Sequence, residues 1–418
     1  MRHIFPLTAA SGALALAAML ATPAQQVYAQ SSSAAAPAAA SAPAPAPAAA
    51  APSPLPTPSV TGPLQWLPPA TFNTGLFGKF AANGIVTGSG LWQGNHVPGD
   101  DTGQAALSNG QIFVQKPDGP VQVYVQVGAY TMPSLGTPFL APDKTMSDFY
   151  GPVPVAFLKI PAGKTTSFQI GALPTLIGAE YTFTFENMNL ERGLLWNQEP
   201  AISRGIQLNQ TLGKYFSASV SWNDGYYSNR YSWLSGLLTF TKGASSLAFA
   251  AGGNLGQTGY QTFATPVQNN SSIYNVIYTY TKGAWIVQPY FQYSNVPTNP
   301  AIGVSKGGST TGGAILVSRV FRHGFSLPGR FEYLSTSGSV NSENPDVNLL
   351  FGTGSSAVSG TLTPTYQNGG FYIRGDLSWV HASSYTPGDV FGPNGTNPNQ
   401  PRVMAEIGFI FGNNLIER

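Results

Sequence analysis

The chain has 418 residues, of which only 9% are Asp, Glu, Lys or Arg, with a formal net charge of +2, 48 glycines, 19 tyrosines and 24 phenylalanines. Average soluble domains carry about 25% charged residues, so something other than a charged surface keeps this chain from precipitating. So mild a charge with no basic cluster excludes nucleic acid as a partner. The absence of cysteine excludes a disulfide framework, a thiolate metal site and a lipid-modified N-terminal Cys.

The first segment reads as an address. Arg2 and His3 precede an apolar run from Leu7 to Leu20, and Val27-Tyr28-Ala29 offers a small-residue cleavage site. The run is shorter than the ~20 residues a helix needs to span a bilayer, so residues 1–29 are expected to be a signal peptide for export. Residues 30–63 are Ala, Pro and Ser almost throughout, a composition that cannot bury a core and predicts a disordered linker.

From Leu64 to the last residue, Arg418, the pattern predicts strands almost everywhere. Short runs of alternating apolar and polar residues fall at 76–89, 108–116, 120–130, 153–160, 165–172, 203–212, 215–223 and 231–241. Eight more follow at 244–254, 272–281, 284–294, 312–321, 325–335, 358–366, 370–381 and 402–411. In the hairpin from Tyr278 to Tyr293, Trp285, Val287, Pro289, Phe291 and Tyr293 share one face while Gln288, Tyr290 and Gln292 share the other.

The joints alternate in length. Tight turns at Lys116-Pro117-Asp118-Gly119, Ala162-Gly163-Lys164, Gly213-Lys214, Thr241-Lys242-Gly243, Thr281-Lys282-Gly283, Arg322-His323-Gly324 and Asn368-Gly369 interleave with mostly long joints rich in Gly, Pro, Asn and Ser. An even strand count with short turns on one edge and long loops on the other predicts an all-β, transmembrane antiparallel up-and-down β-barrel of about 16 strands, with periplasmic turns and extracellular loops. Closure follows because lipid cannot satisfy an unpaired strand edge. The charges keep the same phase: Phe371, Ile373, Leu377 and Trp379 point to lipid, and Arg374 and Asp376 inward; Ile407 and Phe409 point out, and Glu406 in. Trp222, Tyr231, Trp233, Trp285, Tyr293 and Trp379, near strand ends, are expected in the interfacial girdles.

A barrel of this size leaves a water-filled lumen, so passive diffusion of small hydrophilic solutes or ions is expected, with constriction by an inward loop. The longest joint, 173–202, carries Glu180, Glu186, Glu191, Arg192 and Glu199. If its acids oppose the wall residues Lys79, Lys159, Arg319, Arg330 and Arg374, a transverse field would select solutes by charge. Glu332, Asp376 and Glu406 complete the pore-lining candidates. No folded insert of plug size is apparent.

Chemistry of other kinds has little support. Gly303-Val304-Ser305-Lys306-Gly307 matches G-x-S-x-G but lies in a Gly/Ser loop rather than a strand-to-helix elbow. His381 with Ser383 or Ser384 lacks a third orienting group for a membrane lipase. His3, His96 and His323 show no metal-ligand spacing. The expectation is no enzyme, no metal and no cofactor.

The stretch FQIGALPTLIGAEYTFTFENMNLERGLLWNQEPAISRGIQLNQTLG, from Phe168 to Gly213, followed by KYFSASVSWNDGYYSN, resembles the OmpL-like β-barrel porin-2 family. The matching positions are Gly171, Gly178, Asn189, Arg192, Leu194, Leu195, Pro200 and Gly205. The resemblance implies a channel in the outer membrane of a Gram-negative cell and names no solute. Met188 and Leu190 stand where an aromatic is expected beside the loop asparagine, and Phe411 is followed by seven further residues instead of ending the chain. Expected partners are outer-membrane lipid, lipopolysaccharide and small hydrophilic solutes, with a homotrimer expected by analogy to sixteen-stranded porins. The competing reading is a surface adhesin or structural barrel with a closed lumen, ahead of a lipase.

Overall fold

The computed structural model describes residues 64–259, 266–340 and 342–413. The expected signal peptide and Ala/Pro/Ser segment therefore lie outside the described residues. Among these, the alternating segments form eighteen strands. The first seven are β1 (Ala70–Asn73), β2 (Lys79–Gln93), β3 (Gly103–Lys116), β4 (Gln122–Tyr130), β5 (Val155–Pro161), β6 (Thr166–Pro174) and β7 (Ile202–Leu212). Then come β8 (Phe216–Asn223), β9 (Trp233–Lys242), β10 (Ser245–Asn254), β11 (Ser272–Lys282), β12 (Trp285–Val296) and β13 (Gly308–Val320). The last are β14 (Phe325–Thr336), β15 (Ser356–Leu362), β16 (Thr365–Asn368), β17 (Phe371–Ser383) and β18 (Asn399–Phe411).

From β2 onward, successive strands pair antiparallel, and β18 pairs back onto β2 with Val403 opposite Trp92 and Phe411 opposite Gly84. The result is a closed barrel of sixteen staves. β15 and β16 share one stave, since both pair with β14 and β17. The interruption falls at Thr363 and Pro364, the latter having no N–H to give to a ladder. β1 lies beside Lys79–Ala82 of β2, below the part of β2 that β18 covers.

The side chains alternate as a lipid-facing barrel requires. Along β17, Tyr372, Arg374, Asp376 and Ser378 are buried inside while Phe371, Ile373, Leu377 and Trp379 are exposed on the outer face. In β12, Tyr290 and Gln292 point in, with Pro289 and Phe291 outward. Trp222, Tyr231, Trp285 and Trp379 stand exposed near strand ends, where interfacial aromatics belong. Trp233 does not join them. It is 0% exposed, points into the barrel and donates Nε1–H to the Asn269 carbonyl at 2.8 Å. The indole packs edge-on against Tyr226, whose ring centroid is 5.5 Å away, and this inner tier replaces the expected interfacial place.

Two glycines show how local geometry closes the sheet. Gly283 holds φ at 59° in the turn joining β11 and β12, a conformation that a β-carbon disfavours. In β6, Gly171 has φ at 144°, and a β-carbon there would stand 2.2 Å from the Ala156 carbonyl oxygen of the neighbouring strand.

The long connections gather at the edge opposite the tight turns. Lys306 and Asp346 join two of them, 297–307 and 337–355, with nitrogen and oxygen 2.8 Å apart. The Lys306 ammonium, helped by the Ser337 hydroxyl, holds the Asp346 carboxyl below its ordinary range. A depressed carboxylate contributes stability that is fully present above its unfolded pKa and is lost as pH falls through the folded value. Lys306→Ala should therefore speed hydrogen exchange of 337–355 at about pH 7, and the difference from wild type should shrink as pH falls through the folded pKa of Asp346. Equal exchange rates at neutral pH would show that the two loops are held by something else.

Candidate functional site

Segment 175–201, the connection between β6 and β7, has the composition of a core. Leu176, Ile177, Tyr181, Phe183, Phe185, Leu190, Leu194, Leu195 and Trp196 are all buried. Its backbone polar groups must still find partners, and the segment first satisfies its own. Asn187 accepts from the Tyr181 N–H at 2.6 Å and donates to the Tyr181 and Phe183 carbonyls, both at 2.9 Å. Glu186 accepts from the Phe183 N–H at 3.1 Å. Arg192 donates Nε to the Tyr181 carbonyl, Nη2 to that of Thr182 and Nη1 to Pro133. A short parallel bridge between Ser134 and Arg192 then ties the segment to connection 131–154.

The barrel wall supplies the rest. Arg374 on β17 donates to the carbonyls of Thr184 (2.9 Å), Asn187 (2.9 Å) and Met188 (2.8 Å). Two residues on, Asp376 accepts from the N–H groups of Leu190 (3.1 Å) and Glu191 (2.6 Å). Glu332 on β14 accepts from the Leu194 and Leu195 N–H groups at 3.0 and 3.4 Å. On the same strand Arg330 pairs with Glu180 and, through Nε, with Glu332 at 3.2 Å. On β18, Arg402 pairs with Glu191 at 2.9 Å and Glu406 accepts from the Thr184 hydroxyl at 2.8 Å. Asn275 accepts from the Gly178 N–H at 3.0 Å, and Gln292 donates to the Leu195 carbonyl at 2.9 Å. The segment is thereby fastened across the barrel interior to β11, β12, β14, β17 and β18.

Arg330, Glu332, Arg374, Asp376, Glu406, Glu180 and Glu191 thus meet in one network. Arg192 and Glu186 serve the internal fold of the loops instead. Lys159 lies half-buried near the tight-turn end of β5, and Lys79 is exposed at the first position of β2. Arg319 departs from expectation. The even-numbered residues of β13 are the buried ones through Ser318, so Arg319 faces outward, with its guanidinium 4.9 Å from the Trp285 ring and 5.0 Å from that of Phe321. A cation at a strand end reaches the headgroup region and gains those ring faces, so it escapes the mid-bilayer penalty. Arg402 is not among the expected pore-lining residues, because it opens the expected final strand and has the look of loop margin. Its phase with Glu406, four residues on and on the same face, was the available signal.

The profile of the family described as "Putative beta-barrel porin-2, OmpL-like" matches residues 79–411. The chain belongs to this porin family. Among solved structures it is similar to the outer membrane channel DcaP of Acinetobacter baumannii, with a TM-score of 0.56 at 10% identity over 82% of this chain and 100% of that one. It is similar also to an anion-selective porin from Comamonas acidovorans, with a TM-score of 0.54 at 10% identity over 79% and 99% of the two chains. A third, OmpT of Vibrio cholerae, aligns with a TM-score of 0.52 at 11% identity over 80% and 98%. At such identities these likenesses speak to the fold. No curated protein matches the sequence. Family membership and the barrel together give an outer-membrane porin.

The two departures from the family pattern find their places in this porin. Met188 and Leu190 offer backbone groups to Arg374 and Asp376, a role that needs no aromatic side chain. Phe411 closes β18 with its ring 4.9 Å from that of Phe409, and beyond it the Asn413 N–H donates to the Pro68 carbonyl at 2.8 Å.

Proposed function

We propose that this porin conducts small hydrophilic solutes and ions across the outer membrane by passive diffusion, with segment 175–201 as its constriction. The observation that carries the reading is the fastening of that segment across the interior by Arg330, Glu332, Arg374, Asp376, Arg402 and Glu406. Charged wall and charged loop are packed against each other in the barrel interior, and the net field of that enclosed cluster acts on a solute passing beside it, which selects by charge. Carboxylates outnumber cations in that network, with Glu180, Glu191, Glu332, Asp376 and Glu406 against Arg330, Arg374 and Arg402. The expected result in a planar bilayer under a salt gradient is discrete ohmic steps with a reversal potential of the sign for cations. An anion-type potential would refute the charge argument. Silence from protein that still shows heat-modifiable migration would favour the closed adhesin reading.

The reading extends to export by residues 1–29, a passive linker over 30–63 and contact of the outer face with lipid and lipopolysaccharide. It also makes the assembly a homotrimer, supported by a structure of Vibrio cholerae OmpT in a trimer form that shares the fold at a TM-score of 0.52. Catalysis has no place in it. His381, the candidate partner of Ser383 or Ser384, directs Nδ1 to the Asn399 side chain at 3.0 Å and stacks on Trp379.

A further inference from the structure

The residues just before the barrel, Leu64 to Pro68, lie across its tight-turn mouth. Gln65 makes a reciprocal pair with Gln367: its N–H donates to Oε1 and its carbonyl accepts from Nε2, both at 2.8 Å. Asn83 of β2 donates to the Leu67 carbonyl at 3.1 Å, and Asn413 fastens Pro68. Gln367 and Asn83 stand on opposite sides of the β17–β18 pair, so the segment bridges several staves.

This strap carries a wedge. Trp66 meets Phe113 of β3 edge-on at 5.3 Å and Phe185 of segment 175–201 edge-on at 5.6 Å, and those two phenylalanines meet each other at 5.7 Å. The contact continues inward, since Phe185 stacks on Phe183 at 5.8 Å and Phe183 meets Tyr130 edge-on at 5.2 Å. An aromatic column therefore runs from the mouth into the constriction segment. Leu64 belongs to the same apolar cluster, with Trp66 and Leu67 packed against it.

We propose that Leu64–Pro68 is an autoinhibitory strap: Trp66 narrows the periplasmic mouth and braces the constriction segment from below, so release of the strap widens the channel. The proposal rests on the pore reading above. Its logic is steric, because an indole at the mouth takes lumen cross-section, and mechanical, because Phe185 touches both the indole and the wall.

The test compares full-length wild type, Trp66→Ala and Trp66→Phe as single channels in planar bilayers, after heat-modifiable migration has shown that each has folded. Trp66→Ala should raise the unit conductance roughly two-fold, with Trp66→Phe in between. Because the chain has no cysteine, Gln65→Cys with Gln367→Cys offers a second arm. Bridging that pair with a short bis-maleimide should hold the channel at its lowest level and suppress the open–closed transitions of the wild type. A silent wild type with a conducting Trp66→Ala supports strap and pore together. Equal step sizes in all three proteins, with transitions unaltered by the bridge, would overturn the strap and leave the pore standing. Silence of every variant would sink both.

Discussion

Arg330→Ala is expected to destabilise the barrel by about 3–5 kcal/mol, the cost of stripping one partner from a buried ionic network. Arg330 is wholly enclosed, and it serves Glu180, Glu332, the Glu191 carbonyl at 2.8 Å and the Thr361 hydroxyl at 3.2 Å. Its removal leaves two carboxylates without their cation at the point where segment 175–201 is held to β14. Arg330→Lys keeps the charge and loses the planar fork, so its loss should be smaller. Glu180→Gln added to Arg330→Ala should recover part of the stability, since a neutral amide tolerates the missing cation. Urea unfolding from lipid vesicles gives the energies, and the same protein in a bilayer should show larger, noisier currents as the segment comes loose. A cost under about 1 kcal/mol would mean that the network is solvated and does not hold the segment.

One residue further along the same strand the expectation inverts. Phe331 is 56% exposed on the outer face near the middle of β14. Phe331→Arg would place a guanidinium against hydrocarbon and should cost about 2–4 kcal/mol, although its neighbour is an arginine that the fold requires. The measurement is again the urea midpoint in vesicles, compared with the same change at Phe325, exposed on the same outer face at the start of β14, where the penalty should fall to about 0–1 kcal/mol. Equal costs at the two depths would contradict a membrane-spanning placement of β14.

These two neighbours also show why the strands were legible. A period of two decides which face each residue takes, and lipid punishes a slip of one residue at every position. The runs around 325–335 and 370–381 accordingly fell almost where β14 and β17 lie, with Arg330, Glu332, Arg374 and Asp376 inside. Near strand ends the period still holds, but lipid no longer fixes which polarity goes with which face. There Arg319 takes the outer face beside two aromatic rings, and Trp233 turns inward to a carbonyl. The path of segment 175–201 was hidden for another reason: it is set by hydrogen bonds between side chains of distant strands and loop backbone, and those pairings have no sequence period. Arg374 was expected to oppose an acid and instead gathers three carbonyls.

The hydrogen bond from Asn413 to Pro68, beside the seam where β18 meets β2, has a consequence for connectivity. With those two residues already in contact, the staves form a ring whose covalent break falls at one of eight equivalent places along the turn-bearing edge. A short peptide joining the seam and a fresh cut at Gly283 would leave every ladder with its partner. The order in which the staves are threaded is then free to change while the barrel they enclose stays the same.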